Sequence, residues 1–100
     1  MPGEIMTEVS AIVAGERTGD VLAAFTELAQ RPLPDGLLRT ELLKGRDGEW
    51  KIQSLWRDRA ALDVMRAGPE PPAAPALFRQ LGAEPELWIY TLQARHTVSP

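Results

Sequence analysis

The stretch from Glu49 to Gly68 constrains the fold most, because the spacing of its apolar residues changes partway along. Successive strand residues point to opposite sides, so the period of two before Asp58 predicts a strand with two tryptophans on one face. The spacing after Asp58 is helical, and a glycine followed by proline ends the predicted helix. The strand face carries Trp50, Ile52, Ser54 and Trp56, and the helix stripe carries Ala61, Leu62 and Met65.

An Asp-Gly pair precedes this strand and indicates a β-hairpin. It lies within Gly45–Gly48, between the extended run 37–44 and the strand 49–56, so these two strands are expected to be antiparallel. The segment 31–36 holds two prolines and a second Asp-Gly pair, which predicts a turn into the hairpin.

The first thirty residues read as a strand followed by a helix. Residues 5–14 alternate as a strand with one strongly apolar face. Thr18 is expected to cap the helix that follows. The apolar stripe of this predicted helix is Val21, Leu22, Phe25, Leu28 and Ala29.

The last third of the chain predicts a short helix and a final strand. The proline-rich segment 69–75 cannot be helical throughout, but a short helix can begin near Pro75 and end at Gly82. It would bear Leu77, Phe78 and Leu81. Residues 86–95 have apolar side chains on both parities, which suggests a strand buried on both faces, and 96–100 reads as a short tail.

The resulting order predicts an α+β fold of the ferredoxin-like βαββαβ type, with helices on one face of the sheet and a small extra helix before the last strand. One hundred residues make a single domain, 1–100, with its core in about 5–95. The opposite sheet parity includes Met6, Ile12 and Leu55 and is too apolar for water. A homodimer in which two sheets meet is therefore expected.

Composition excludes several classes of function. The absence of cysteine rules out disulfides and thiolate chemistry, and a net charge of -3 with both signs scattered disfavours nucleic acid. No apolar run approaches the ~20 residues of a membrane span, so no membrane partner and a cytoplasmic location are expected. No metal-ligand cluster, Ser-His-Asp set or Gly-rich phosphate loop is present.

Three segments make the chain resemble the antibiotic biosynthesis monooxygenase family, whose members are dimeric α/β barrels. They are Pro34–Arg39, which leads into the second strand, Trp56–Leu62, which bridges the third strand and its helix, and the proline-rich segment 69–75 before Phe78. The resemblance implies a cavity between sheet and helices that binds a small phenolic, quinol or polyketide-like aromatic molecule. Several members oxygenate such substrates without flavin or metal, so no cofactor is expected.

The chain departs from the family pattern at two positions. Met65 lies in the second helix where members often place a histidine, and Ile52 lies where monooxygenases can carry an amide. The single histidine, His96, is in the tail. Related barrel proteins bind haem, but haem degradation is not expected here because no pocket residue offers an imidazole ligand.

The candidate site combines two catalytic candidates with an apolar pocket and no metal. Trp56 would form a pocket wall or, with equal weight, a plain core residue, and Tyr90 would orient substrate or donate a proton unless it is an ordinary buried tyrosine. For most of the pocket set, packing in the core is the alternative role. The predicted pocket residues are Phe25, Ile52, Leu62, Met65, Arg66 and Phe78.

Three functions remain open on the sequence. The first is a cofactor-independent monooxygenase acting on an aromatic, quinol or polyketide-like molecule. The second is a non-catalytic dimeric ligand-binding or structural module of the same fold, which the missing histidine and amide favour. The third is a polyketide cyclase or isomerase that uses Tyr90 or a carboxylate as its base.

Overall fold

The computed structural model describes residues 3–99 and forms one antiparallel sheet with three α-helices on one of its faces. The strand order is β2-β3-β1-β4, so the predicted ferredoxin-like topology is confirmed. A short 3-10 turn, Gly15–Arg17, precedes the first helix. The elements are β1 (Ile5–Ile12), α1 (Thr18–Gln30), β2 (Leu37–Lys44), β3 (Glu49–Trp56), α2 (Arg59–Ala67), α3 (Ala73–Gln80) and β4 (Glu86–Thr91).

The predicted hairpin joins β2 to β3 through a tight turn. Asp47 and Gly48 have φ angles of 55° and 83°, and the amide of Glu49 donates to the carbonyl of Arg46 at 3.0 Å. Two successive positive φ angles define the turn type whose twist matches that of an antiparallel strand pair. The turn sets the register in which Leu42 lies opposite Ile52.

The helices cover the sheet face that carries Trp50, Ile52, Ser54 and Trp56, here called the inner face. Its apolar residues form two separate clusters. The first joins α1 and α3 to the sheet end that holds Val9, Trp50 and Ile52, with Val21 and Phe78 at its centre. The second joins Ala61 and Leu62 of α2 to Ile5 and Trp56 at the other end.

Helix α1 differs from its prediction at two points. Thr18 is not its cap: this residue is already helical, and its hydroxyl donates to the carbonyl of Gly15 at 2.9 Å. The 3-10 turn before α1 supplies this carbonyl, which a simple capping pattern does not anticipate. The buried stripe is also narrower than predicted, because Leu22 and Ala29 are exposed.

The prediction that the last strand is buried on both faces is wrong for this chain alone. Strand β4 pairs only with β1 and forms an edge of the sheet. The helices cover the central strands, so the exposed fractions of Leu87, Trp88 and Tyr90 are 42%, 55% and 47%. The strand also ends at Thr91, four residues earlier than predicted.

The other sheet face, here called the outer face, carries Met6, Leu55, Trp88 and Tyr90 together with two ion pairs. Lys51 Nζ lies 3.2 Å from a carboxylate oxygen of Glu8. The Arg39 guanidinium contacts the Glu41 carboxylate at 2.7 Å, so both mid-strand glutamates have an ion-pair partner. No helix among residues 3–99 is both long enough and apolar enough to cross a membrane.

Candidate functional site

A cavity of about 660 Å³ lies over the middle of the inner face, here called the central cavity. It opens where the two apolar clusters separate, because α1 and α3 pack on one end of the sheet and α2 packs on the other. The segments 31–34 and 68–75 also line it. Its volume falls in the range of small-molecule sites, about 300–1,000 Å³.

The floor of the central cavity is a row of hydroxyl groups across three strands, here called the hydroxyl row: Thr40, Ser54 and Thr7. The sheet register aligns them, because Ser54 lies opposite both Thr40 and Thr7. The oxygens Thr40 Oγ1 and Ser54 Oγ are 2.9 Å apart and share a hydrogen bond. The row therefore places polar groups in the middle of an otherwise apolar floor.

Trp56 forms one wall of the cavity and belongs to the core as well. Its side chain is only 4% exposed and contacts the α2 cluster with Ile5 and Leu62. Its indole Nε1–H donates to Thr7 Oγ1 at 3.2 Å, which fixes the ring against the floor. The two roles that the sequence leaves open, pocket wall and core residue, are thus compatible.

Proline forms much of the remaining wall. All seven prolines between residues 3 and 99 line the central cavity, at positions 32, 34, 69, 71, 72, 75 and 85. Proline has a fixed φ and no N–H group. Wall segments of this kind are stiff, apolar and poor in hydrogen-bond donors, which suits the face of an aromatic ring better than a sugar or a peptide.

Five of the eight predicted site residues line the central cavity: Trp56, Ile52, Leu62, Met65 and Arg66. The structure does not bring the other three to it. Phe25 and Phe78 pack in the α1–α3 cluster. Tyr90 lies on the outer face, since it pairs with Met6 whereas its neighbour Ile89 pairs with Thr7.

Sequence reasoning missed Thr7 and Thr40 and treated Ser54 only as a face residue. The sequence does contain a pattern that could have predicted two of these hydroxyl groups at the site. Ser54 alternates with tryptophan and isoleucine on the core-facing parity of β3, and Thr7 sits between Ile5 and Val9 on that of β1. A hydroxyl on a core-facing parity needs a partner, and two such residues in paired strands indicate a shared polar site.

Solved structures with this architecture include oxygenases. A variant of SnoaB, a cofactor-independent oxygenase from Streptomyces nogalater, is 25% identical, with a TM-score of 0.69 over 98% of this chain and 99% of that one. A candidate antibiotic biosynthesis monooxygenase from Caulobacter crescentus is 18% identical, with a TM-score of 0.73 over 93% and 92%. A second candidate antibiotic biosynthesis monooxygenase, from Deinococcus radiodurans, is 17% identical to this chain. Its TM-score is 0.67 over 96% of this chain and 97% of that one.

The chain has the fold of the antibiotic biosynthesis monooxygenase family. The match extends over nearly the full length of both chains in each case, so it describes the whole architecture. No protein-family model matches the sequence, and no curated protein matches it.

Against the antibiotic biosynthesis monooxygenase pattern, the two departures seen in the sequence both face the central cavity. Met65 and Ile52 line it, so both positions present apolar surface to the cavity. Glu70 is the one carboxylate among the described residues that line it. No group of three or more His, Asp or Glu side chains between residues 3 and 99 is placed to hold a metal ion.

Proposed function

We propose that this protein is a cofactor-independent monooxygenase that oxidises a phenolic, polyketide-like aromatic molecule in the central cavity. The observation that carries the proposal is the split core, which leaves an apolar cavity walled by Trp56 and proline and floored by the hydroxyl row. Its shape and polarity suit a flat ring system that presents an oxygen to the floor. The full-length likeness to SnoaB supports the reaction type.

The reaction needs only dioxygen as oxidant. An ionised phenol or its enolate transfers one electron to dioxygen, and the two radicals combine through a new carbon–oxygen bond to give a hydroperoxide. Loss of water then breaks the oxygen–oxygen bond and leaves a carbonyl. In the balance, a ring CH₂ and O₂ give C=O and H₂O, with one oxygen atom in each product.

The chain contributes binding, orientation and stabilisation of the ionised substrate. The hydroxyl row can donate hydrogen bonds to the substrate oxygen, which favours its ionised form. Trp56 and the proline walls hold the ring against apolar surface and limit side reactions of the radical pair. The phenolic proton passes to water, which reaches the cavity; the exposed Glu70 also lines it.

A specific observation favours a second candidate, a ligand-binding module without turnover. Met65 and Ile52 make the cavity less polar than the family pattern, and no imidazole lines it among residues 3–99. Tight binding of an aromatic ligand without oxygen uptake would identify this case. The cyclase or isomerase alternative is less well supported, because Tyr90 lies across the sheet from the cavity.

A homodimer is part of the proposal. The outer face exposes Ile12, Leu43, Trp88 and Tyr90, and exposed apolar patches of this kind are typical of protein interfaces. Pairing of two outer faces would bury these side chains and would leave both central cavities open on the helix-covered sides.

The test is oxygen uptake by the purified, chelator-treated protein with a panel of anthrones and naphthols, followed by product analysis under ¹⁸O₂. We expect enzyme-dependent uptake with at least one anthrone and one labelled oxygen atom in the product. Uptake no faster than spontaneous oxidation for every member of the panel would contradict the proposal.

Two serine variants localise the activity. Ser54→Ala removes a hydroxyl from the cavity floor, whereas Ser10→Ala removes one from the outer face of β1. A hydrogen bond to a charged oxygen is worth about 1.5–3 kcal/mol, so Ser54→Ala is expected to slow turnover by at least about tenfold. Ser10→Ala should leave the rate unchanged, and equal rates for the two variants would exclude the hydroxyl row.

A further inference from the structure

The hydrogen bond between Trp56 and Thr7 leaves the Thr7 hydroxyl with a proton to donate. The indole Nε1–H donates to Thr7 Oγ1 at 3.2 Å, and an indole nitrogen cannot accept in return. The contact therefore occupies a lone pair of the hydroxyl oxygen and turns its proton away from the ring. Thr7 Oγ1 makes no other hydrogen bond with residues 3–99. Because Thr7 lines the central cavity, this proton is available to a ligand there.

The pair formed by Thr40 and Ser54 provides a second free proton. Their hydroxyl oxygens are 2.9 Å apart, and either one can be the donor. Each hydroxyl has one proton, so one proton lies between the two oxygens and the other is not used by the pair. When Thr40 donates, the free proton belongs to Ser54, which also lines the cavity.

The sheet register places these two donors side by side. Thr7 and Ser54 lie directly opposite each other in the pairing of β1 with β3, and residues so paired have Cβ atoms about 4.5–5.5 Å apart. Both side chains are largely buried, with exposed fractions of 7% and 8%. Two hydroxyl groups at this spacing can donate to one oxygen atom that lies between them.

Each of the two donors is held by a further residue that donates to it. Trp56 donates to Thr7, and Thr40 can donate to Ser54. Trp56 lies opposite Ile5, two residues before Thr7, so the register brings the indole to the diagonal position from which it reaches the hydroxyl. Hydrogen bonds in such a chain strengthen one another by roughly 10–30% per bond. Two short chains of donors therefore converge on one point of the cavity floor, in an arrangement that is already oriented before a ligand binds.

We propose that Thr7 and Ser54 form an oxyanion site that binds the ionised oxygen of the ligand, with Trp56 and Thr40 as positioning residues that act through them. The inference rests on the proposed function for a phenolic ligand and adds the two groups that hold its oxygen. Trp56 then acts on the ligand through Thr7 as well as through its ring. A purely structural role for these hydrogen bonds predicts that neutral and ionised ligands respond alike when they are removed.

The test compares the phenol and phenolate forms of one probe, 7-hydroxycoumarin, which absorb at different wavelengths. Binding titrations under argon at several pH values give the ratio of the two affinities. We expect the phenolate to bind at least about tenfold more tightly than the phenol, because hydrogen bonds to a charged oxygen are the stronger ones. Thr7→Val should remove most of this preference, and Thr7→Ser, which keeps the hydroxyl, should retain it.

Trp56→Phe tests the positioning role, since it keeps an aromatic ring and removes the N–H. It should lower the affinity ratio by roughly twofold, the effect of losing one supporting hydrogen bond. In a Thr7→Val background the same change should have no further effect on the ratio, because Trp56 acts through Thr7. An equal loss in both backgrounds would show that Trp56 acts independently and would overturn its positioning role.

Thr26→Val is the matched control. Thr26 is exposed on α1, its hydroxyl donates to the carbonyl of Leu22 at 2.9 Å, and it does not line the cavity. This variant should keep the wild-type ratio. The charged residues that line the cavity are the same in every variant, so their effect on the ratio cancels. They are Arg31, Arg66, Glu70 and Arg79.

Two results would overturn the oxyanion site: a ratio that Thr7→Val leaves at the wild-type value, or no binding of the probe to the wild type. If Thr7→Val does not fold, Ser54→Ala carries the test, because it leaves the bond between Trp56 and Thr7 intact. An unchanged ratio in Ser54→Ala would then overturn the inference. Failure of the proposed function is seen separately, as absence of oxygen uptake with every anthrone, whereas the ratio is measured without turnover.

Discussion

At the scale of single residues, the hydrogen bond between Trp56 and Thr7 links the core to the site. Both side chains are buried, and no buried side-chain nitrogen or oxygen among residues 3–99 lacks a partner. The indole N–H donates to Thr7 Oγ1, so Trp56 can present its ring to a ligand but has no further hydrogen-bond donor to offer. Its position depends on a residue 49 places earlier in the chain.

Thr7→Val should destabilise the protein by about 1–3 kcal/mol, because it leaves the buried indole N–H without an acceptor. The same change in a Trp56→Phe background removes nothing that is still paired and should cost much less. Urea unfolding of the four proteins in this cycle measures the difference. Equal costs in the two backgrounds would show that the hydrogen bond contributes nothing to stability.

Most wall residues of the site can be predicted from the sequence, and the floor is harder. The periods of β3 and α2 place Ile52, Trp56, Leu62 and Met65 on surfaces that face each other. The prediction that Tyr90 belongs to the site is not met by the structure, because strand parity fixes only which residues share a face of the sheet. Which face the helices cover depends on tertiary packing, which has no local signal.

At the scale of elements, the junction between β3 and α2 positions one side of the cavity. Asp58 is extended and its carboxylate accepts from the amide of Ala61 at 2.8 Å. The cap lies two residues after Trp56 and α2 begins at the next residue, Arg59, so Leu62 and Met65 fall beside the tryptophan. Local sequence specifies the junction, which explains why this part of the fold was predictable.

Asp58→Ala should lower the free energy of unfolding by about 1 kcal/mol, the usual cost of losing a helix cap. Asp58→Asn keeps an acceptor and should cost only a few tenths of that. The control is Asp63→Ala in the same helix, whose carboxylate makes only an exposed ion pair with Arg59 and should matter little. A loss for Asp63→Ala as large as that for Asp58→Ala would refute the capping role.

The predicted burial of β4 on both faces is wrong because of where the whole strand lies in the sheet. Its apolar residues on both parities predict burial on both faces, but the single chain covers only part of one. Trp88 and Tyr90 remain exposed on the outer face. The alternation of apolar residues therefore predicts which side chains share a face of β4, and it does not tell whether another element covers that face.

At the scale of the whole molecule, the outer face gives a test of assembly. We expect the protein to elute as a dimer and Trp88→Lys to shift it towards the monomer, because a charge in an apolar interface is costly. Leu22→Lys is the control, since Leu22 is equally exposed but lies on α1. A monomeric wild type, or the same shift for both variants, would contradict the dimer.

The most direct measurement is a crystal structure with a bound anthrone. We predict density in the central cavity, with the ring between Trp56 and the prolines of segment 68–75 and a ring oxygen within hydrogen-bond distance of Ser54 or Thr7. Density on the outer face against Trp88 and Tyr90, or an empty cavity at saturating ligand, would contradict the assignment of this site.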